Sequence, residues 1–223
     1  MRNCIILVHG FGGTPYEMKK LGEYLKKYGF SPEYPLLLGH RDKPESLKDV
    51  KLEDWKNQLI EFYNEMEKKY EKVFLCGLSM GALLSGIIAS IKIPEKLILL
   101  APAVYIKKAS FSLAPFGLMV RNKLVRICDK SLNPESYHFA PAFSVYQLLR
   151  ARNEFVKKIG LVKSPTLIIH GLKDEMVKPL SSIFVFKRLK TKKKISFIDD
   201  ATHVLTLDNK KEDVFKTILD WVK

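Results

Sequence analysis

The sequence lacks an apolar run long enough to cross a membrane. Its longest uncharged stretch, residues 73–91, is interrupted by glycine and serine and has the pattern of a strand, a turn and a helix. The first residues, MRNCIILVHG, are too short for a secretory signal and lead directly into a glycine-containing motif. We therefore expect no transmembrane segment, no export, and a soluble protein of the cytoplasm.

Cysteine is scarce, with Cys4, Cys76 and Cys128 as the three instances. Three thiols cannot all pair, and none stands at a metal-site spacing from another cysteine or a histidine. A reducing compartment fits this usage, with Cys4 and Cys76 as small core residues of strands. We predict neither a metal site nor a cofactor.

Acidic residues are outnumbered, since 38 Lys and Arg stand against 24 Asp and Glu, for a net charge of +14. Such a balance is found in proteins that bind nucleic acids or anionic membranes. The lysines are spread along the chain, however, and the one tight run, residues 188–194, has no interleaved aromatic residues on which bases could stack. We predict a solvated basic surface and no nucleic-acid partner. A weak contact with anionic lipid interfaces is kept as a hypothesis.

Short apolar runs alternate with amphipathic, lysine-rich segments along most of the 223 residues. Near-continuous apolar strands separated by helices are typical of a mostly parallel sheet covered on both faces, so the fold class is α/β. The prolines of the second run favour a place at the sheet edge. The predicted strands cover residues 4–10, 31–37, 72–77, 96–102, 164–171 and 194–200.

Residues 103–160 break this alternation. They show no clear strand, but helix-like pieces at 111–127 and 143–159, joined by a connector rich in turn residues. We predict a core made of residues 1–102 and 161–223, and a small helical cap subdomain inserted at 103–160.

The pentapeptide GLSMG places Ser79 between Gly77 and Gly81, where an apolar strand runs into an apolar helix. This is the context of a nucleophile elbow, in which a sharp turn exposes the hydroxyl at a helix N-terminus. A chance pentapeptide in a glycine-containing loop is the alternative, and the flanking strand and helix argue against it. Ser79 is the predicted nucleophile.

A serine hydroxyl needs a base to remove its proton. His203 follows the last predicted strand in DDATHVLTLD, from where it can reach the carboxyl edge of the sheet, and it is the predicted base. The other histidines stand in places that favour structural roles: His9 and His170 at strand ends, His40 in a turn and His138 in the insertion.

The base needs an orienting carboxylate. Asp174 follows the preceding strand by a short loop and is the predicted partner, while Glu175, Asp199 and Asp200 are its rivals. The chain order serine, aspartate, histidine is the one expected for this strand–turn–helix context.

Two backbone N–H groups are predicted to bind the oxyanion: that of Met80, directly after the nucleophile, and that of Phe11, in the loop after the first strand. The segment HGFGG lacks the spacing and the downstream acidic residue of a dinucleotide-binding site, and we reject that alternative.

The segments LVHGFGG, GLSMG, GLKDEMV and ATHVLTLD together resemble the α/β-hydrolases, and they are most similar to small bacterial carboxylesterases and monoacylglycerol lipases. The resemblance covers nearly the whole chain, including the Pro–Gly–His loop and Trp-containing helix of residues 35–55. It implies an α/β-hydrolase fold, the triad Ser79, Asp174 and His203, an oxyanion hole at Phe11 and Met80, and a cap over an apolar acyl pocket. Family members usually carry further strands before HGF, so we expect about six strands here.

The resemblance implies a serine hydrolase that cleaves carboxylic esters of short-to-medium acyl chains, monoacylglycerols among them, through an acyl-enzyme on Ser79. An acyl thioesterase, or another acyl hydrolase on the same triad, is the enzymatic alternative, and a hydrolase-like binding protein is the non-enzymatic one. The acyl pocket is predicted to include Phe11 and five cap residues, for which packing within the cap is an equal alternative: Phe111, Leu113, Phe116, Leu118 and Met119.

Overall fold

The computed structural model describes residues 3–41, 43–107, 120–128 and 133–223. Its main sheet contains six strands: β1 Asn3–Val8, β2 Phe30–Glu33, β3 Lys72–Leu78, β4 Leu97–Leu100, β7 Thr166–Gly171 and β8 Lys193–Ile198. All neighbours in this sheet are parallel, in the order β2-β1-β3-β4-β7-β8. A separate antiparallel pair is formed by β5 Leu124–Arg126 and β6 Phe139–Pro141.

Helices cover both faces of the main sheet, as expected for apolar parallel strands. In β1, Ile5 and Leu7 point into the core beneath the first and last helices, and Cys4, Ile6 and Val8 point to the opposite core. The predicted α/β fold with about six strands is therefore confirmed. The helices are α1 Tyr16–Lys26, α2 Leu52–Lys69, α3 Met80–Ala89, α4 Ala142–Lys158, α5 Leu180–Arg188 and α6 Lys211–Val222, with short 3-10 turns at Pro44–Leu47 and Ile159–Leu161.

Strand β2 lies at the sheet edge as predicted, but it is shorter than the predicted span of 31–37. It pairs with β1 from Phe30 to Glu33 and then leaves the sheet. Pro35 has no N–H to donate to a ladder, and the next buried N–H, that of Leu37, donates to His9 Nε2 at 3.1 Å instead.

The insertion contains strands that the sequence did not predict. In the hairpin of β5 and β6, Leu124 faces Pro141 and Arg126 faces Phe139, so the helix predicted over 111–127 is wrong at its C-terminal end. The short run KLVRI has an apolar spacing that suits a helical turn and a strand equally, and only the distant partner strand decides between them.

Helix α4 matches the second helical prediction, 143–159, and packs against α3. The approach is close, since a Cβ on Gly86 of α3 would lie 2.3 Å from the Phe155 ring of α4. Helix α4, which lies within the predicted insertion, thus packs on the helical layer that covers the sheet. The division into core and cap stays a prediction.

The order of the strands places the loops that carry the candidate site residues side by side. The second strand, β2, is added on one side of β1, and the later strands β3, β4, β7 and β8 are added on the other side. The order of strand addition therefore reverses between β1 and β3. In open α/β sheets, ligands bind at the carboxyl ends of the strands beside such a reversal. The loop of Phe11 follows β1 and Ser79 follows β3, at that place.

We expect Gly81→Ala to destabilise the protein by about 3 kcal/mol. A Cβ on Gly81 would lie 2.3 Å from the carbonyl oxygen of Val8 and 2.5 Å from that of His9, and this sheet backbone cannot retreat. Gly160→Ala is the matched control, because its Cβ would meet the Arg188 carbonyl at an ordinary 3.5 Å. Denaturant unfolding of both variants checks the prediction, and equal midpoints would contradict it.

Candidate active site

Ser79 lies in the turn between β3 and α3, in a backbone conformation that residues other than glycine rarely adopt. Its φ is 57° and its ψ is −112°. The turn is tight, since a Cβ on Gly77 would lie 2.2 Å from the carbonyl oxygen of Gly81. The Ser79 N–H donates to the Leu100 carbonyl at the end of β4, at 2.9 Å. The strand, the helix and this bond together hold the serine at the carboxyl edge of the sheet.

His203 connects Ser79 to Asp174. Its Nε2 lies 2.9 Å from Ser79 Oγ, and its Nδ1 lies 2.7 Å from Asp174 Oδ2. An ionised carboxylate can only accept hydrogen bonds, so the Nδ1 atom carries the proton and the Nε2 lone pair faces the serine hydroxyl. This chain of hydrogen bonds can move a proton from Ser79 to the imidazole.

Asp174 is fully buried and is held by several donors. Its Oδ1 accepts the backbone N–H groups of Met176 and Val177, each at 2.8 Å, and its Oδ2 also lies 3.2 Å from His170 Nε2. Burial by itself would raise the pKa of Asp174. The charge of His203 and the hydrogen bonds outweigh burial, and the pKa lies below its ordinary value. Asp174 therefore stays ionised at neutral pH.

The pKa of His203 is raised above the ordinary value of 6.5. Burial would lower it, but the charge and hydrogen bond of Asp174, followed by the charges of Glu175 and Glu17, outweigh burial. Glu175, one of the rivals of Asp174 in the sequence, accepts a hydrogen bond from the backbone N–H of His203 at 3.3 Å. Asp174 therefore contacts the ring, and Glu175 contacts the main chain.

These pKa shifts predict the pH dependence of activity. A base must be neutral to accept a proton, so kcat/KM should rise with pH through a midpoint above 6.5. Glu175→Gln keeps an oxygen that can accept the His203 N–H but removes a charge that favours the imidazolium, so the midpoint should move to lower pH. Glu61→Gln, an exposed carboxylate of α2, should leave it in place. A midpoint unchanged in Glu175→Gln would contradict the prediction.

The two predicted oxyanion donors belong to segments next to the serine: Met80 follows it in the chain, and Phe11 follows Gly10, on which a Cβ would lie 3.5 Å from the Ser79 Cβ. Met80 is the first residue of α3, where the N–H groups have no partner within the helix. Phe11 lies in the loop after β1, and within the described ranges no backbone oxygen accepts its N–H. Gly12, with φ of 73°, turns this loop back toward α1.

A cavity of about 690 Å³, counted out to its open mouth, adjoins Ser79 and His203. Its wall is mostly apolar, which suits a hydrophobic ligand group. Phe11 is among the residues that line it, and the other five predicted pocket residues, 111, 113, 116, 118 and 119, lie outside the described residues. The apolar lining also includes Leu78, Ala103, Ile106, Ile127, Tyr137, Leu148, Met176, Val177 and Val204.

The rival histidines are occupied elsewhere. His9 accepts the Leu37 N–H, and His40 Nδ1 lies 3.2 Å from the Leu38 carbonyl. Burial lowers the pKa of His9 to about 3 and that of His40 to about 4. His138 is exposed in the hairpin, where its carbonyl accepts a backbone hydrogen bond.

Neither rival aspartate is among the described hydrogen-bond partners of His203. Asp199 is exposed, and Asp200 forms an exposed ion pair with Lys173 at 2.7 Å. Within the described ranges, no cluster of three or more His, Cys, Asp or Glu residues is arranged to hold a metal ion, and no helix is long and apolar enough to span a membrane.

Two residues that lie next to the candidate active site were not identified from the sequence. His170 supports Asp174, and its Nδ1 lies 2.7 Å from the Ser182 hydroxyl. Glu17 is buried, lines the cavity and accepts the Gly10 N–H at 2.8 Å. His170 could have been suspected from the sequence, because it ends an apolar strand next to the loop of Asp174. Glu17 could not, because it stands among the other charged residues of an amphipathic helix.

The chain is similar to two Bacillus proteins, named a monoacylglycerol lipase and a carboxylesterase, over nearly its whole length. It is 28% identical to the thermostable monoacylglycerol lipase of Bacillus sp. (strain H-257) over 224 residues, which cover 97% of this chain and 89% of that protein. It is 25% identical to a carboxylesterase of Bacillus subtilis (strain 168) over 231 residues, which cover 98% of this chain and 94% of that one.

Solved structures share the fold. The monoacylglycerol lipase of Paleococcus ferrophilus superimposes with a TM-score of 0.84 at 22% identity, covering 98% of this chain and 93% of that one. A structure from the study of LipS and LipT, two metagenome-derived lipolytic enzymes, gives a TM-score of 0.91 at 23% identity, covering 99% and 93%.

A family model described as serine aminopeptidase, S33, matches residues 1–140 and 133–210 of this sequence. These ranges contain Ser79, Asp174 and His203 together with the loop of Phe11. The protein, an α/β-hydrolase by fold, belongs to the serine aminopeptidase S33 family.

Proposed function

We propose that this protein hydrolyses carboxylic esters of short-to-medium acyl chains, including monoacylglycerols, through an acyl-enzyme on Ser79. The observation that carries the proposal is the hydrogen-bonded chain Ser79–His203–Asp174, which opens into a mostly apolar cavity. The Bacillus relatives support it, because one is named a monoacylglycerol lipase and the other a carboxylesterase.

The reaction begins when His203 Nε2 takes the proton of the Ser79 hydroxyl and Ser79 Oγ attacks the ester carbonyl carbon. A tetrahedral intermediate forms, and the imidazolium then gives its proton to the leaving alcohol as the C–O bond breaks. Water then gives a proton to His203 Nε2 as its oxygen attacks the acyl carbon, and the imidazolium returns that proton to Ser79 Oγ as the C–Oγ bond breaks and the carboxylic acid leaves. Asp174 holds the ring in the required tautomer and stabilises its charged form during both steps.

The negative charge that develops on the carbonyl oxygen is stabilised by the N–H groups of Phe11 and Met80. Preorganised donors of this kind act on the transition state more than on the substrate, and losing one commonly costs about 10²–10³-fold in kcat. Neither group needs to abandon a backbone partner for this role within the described part of the chain.

The acyl chain occupies the apolar part of the cavity. Ile106 and Ile127, from the segment between β4 and α4, line it together with Leu78. We propose that residues 103–160 act as the cap that bounds the acyl site, with Phe111, Leu113, Phe116, Leu118 and Met119 as candidate contributors.

Initial rates on p-nitrophenyl esters from acetate to palmitate, and on 1-monoacylglycerols, test the proposal. The expected result is hydrolysis that peaks at short-to-medium acyl chains, includes monoacylglycerols and disappears in Ser79→Ala. Acyl thioesters of the same chains and an amino-acid p-nitroanilide, run in parallel, examine the thioesterase and aminopeptidase alternatives. If the thioesters or the anilide are hydrolysed faster than every ester, the protein is still a serine hydrolase, but the assignment of esters as its substrates is overturned.

The surface of the β5–β6 hairpin suits a contact with anionic lipid. Leu124 and Phe139 are exposed apolar residues there, 42% and 45% exposed, the Arg126 guanidinium lies over the Phe139 ring, and exposed Lys123 directly precedes Leu124. Exposed apolar side chains beside basic residues are typical of surfaces that meet anionic headgroups. Because the residue after β5, Ile127, lines the cavity, such a contact would bring the pocket close to a lipid substrate.

This hypothesis predicts binding to phosphatidylglycerol vesicles and little binding to phosphatidylcholine vesicles. Binding should weaken between 0.1 and 1 M salt, as the Debye length shrinks from about 10 to about 3 Å. Lys123→Glu should reduce it about 10-fold or more, since losing a basic residue near an anionic surface costs about 1 kcal/mol, or about 5-fold, and the new carboxylate adds repulsion. Lys19→Glu, on the exposed face of α1, is the matched control. Equal losses in the two variants would reject the hairpin as the contact site.

A further inference from the structure

Glu17 is a carboxylate in an unexpected place. It lies in the first turn of α1, is only 5% exposed, and lines the cavity together with Ser79 and His203. Burial raises the pKa of Glu17 above its ordinary value, while the hydrogen bond from Gly10, the nearby Asn133 side chain and the charge of His203 act in the opposite direction. A buried carboxyl group is costly unless it is hydrogen-bonded, so its contacts define what it does.

The loop that follows β1 wraps around this carboxylate. Glu17 Oε2 accepts the Gly10 N–H at 2.8 Å. A Cβ on Gly13 would lie 2.2 Å from Glu17 Oε1, and a Cβ on Gly10 would lie 3.4 Å from Glu17 Oε2 and 3.5 Å from the Ser79 Cβ. Gly10 is therefore packed between the carboxylate and the serine, and Phe11 is the next residue of the same loop.

A second set of contacts reaches the loop from the segment before β6. The Asn133 side chain lies near enough to Glu17 to favour the ionised carboxylate, and the Tyr137 N–H donates to the Gly12 carbonyl at 2.7 Å. The Thr14 hydroxyl also donates to Glu135 Oε2 in this segment at 2.7 Å. The loop is thus held on one side by Glu17 of α1, through the Gly10 N–H, and on the other by residues 133–137, through Thr14 and the Gly12 carbonyl.

We propose that Glu17 is a positioning residue for ester hydrolysis, holding residues 10–13 through the Gly10 N–H so that the Phe11 N–H faces the oxyanion formed at Ser79. This inference rests on the proposed function. Glu17 acts as a hydrogen-bond acceptor, so a neutral acceptor of the same shape should replace it. An oxyanion donor that is held in place lowers the transition state more than it binds the substrate, so its loss should reduce kcat and leave KM nearly unchanged.

Glu17→Met and Glu17→Gln separate the acceptor from the charge. Methionine fills a similar volume without an oxygen, and kcat on a p-nitrophenyl ester should fall about 10²-fold with KM changed less than about 3-fold. Glutamine keeps an acceptor for Gly10 and should retain kcat within about 3-fold. The inhibition constant of an alkyl boronic acid, whose tetrahedral adduct mimics the transition state, should rise in Glu17→Met in parallel with the loss of kcat/KM. Glu23→Met, an exposed position on the same helix, is the matched control.

Wild type and Ser79→Ala are measured first, so failure of the proposed function appears there as wild-type inactivity on every ester, independent of Glu17. With an active wild type, three results would overturn the positioning role. The first is a kcat for Glu17→Gln as low as that for Glu17→Met. The second is a Glu17→Met enzyme in which KM alone changes. The third is a Glu17→Met enzyme in which kcat falls while the inhibition constant of the boronic acid is unchanged. If Glu17→Met does not fold, as judged by its near-ultraviolet circular dichroism, Glu17→Asp withdraws the acceptor by one methylene. A parallel loss of kcat and boronate affinity is then expected, and an unaltered kcat would overturn the proposal.

Discussion

Ser79→Ala should lower kcat for ester hydrolysis by at least about 10⁴-fold, because no other group in the mechanism can form the acyl-enzyme. The fold should survive, since alanine keeps the Cβ and the hydroxyl bonds only to His203 Nε2 among the described contacts. The comparison is made with p-nitrophenyl ester rates at saturating substrate, corrected for the folded fraction.

Ser85→Ala is the matched control for Ser79→Ala. Ser85 is a fully buried serine of α3, the helix that Ser79 precedes, and its hydroxyl has no hydrogen-bond partner among the described residues. Its removal should change kcat by less than about 2-fold. Comparable losses in both variants would indicate damage to α3 and would count against a nucleophilic role for Ser79.

Asp174→Asn should have the next largest effect, a loss in kcat of about 10⁴-fold by analogy with the serine protease triad. The asparagine amide can present an N–H to His203 Nδ1, which places the ring proton on Nε2 and leaves no lone pair for the Ser79 hydroxyl. Loss of the carboxylate charge should also lower the pKa of His203, because that charge is the largest contribution that raises it.

Asp200→Asn is the control for this substitution, since Asp200 pairs with Lys173 at the surface. Its kcat should stay within about 2-fold of wild type. The pH profiles of both variants accompany the rates. An Asp174→Asn enzyme with nearly full kcat would show that another carboxylate, Glu175 first, orients the imidazole.

Much of the architecture could be predicted from local patterns. The apolar runs at β1, β3, β4 and β7 are buried on both faces, which gives them a continuous hydrophobic signal that is independent of the rest of the chain. The glycines around Ser79 carried a local signal too, because the turn needs their missing side chains to pass close to backbone atoms. The ends of the strands were less well predicted, as in β2, where pairing with β1 stops before Pro35.

Features that depend on distant contacts could not be predicted in this way. The β5–β6 hairpin joins segments whose own sequences do not distinguish a strand from a helical turn. Glu17 follows the same pattern as the solvated charges of α1, and only the path of the loop from Gly10 to Gly13 over that helix gives it a buried partner. Tertiary packing decided both cases, and a local pattern contains no information about it.

The most direct test of the central claim is to identify the residue that forms a covalent bond with an ester-like inhibitor. The protein is incubated with diethyl p-nitrophenyl phosphate, which transfers its phosphoryl group to an activated serine, and the product is analysed by intact-mass and peptide mass spectrometry. The account predicts one adduct per chain, on the peptide that contains Ser79, with release of one equivalent of p-nitrophenol and parallel loss of ester hydrolysis. It also predicts no adduct in Ser79→Ala. An adduct on another residue, or ester hydrolysis that persists in the fully labelled protein, would contradict it.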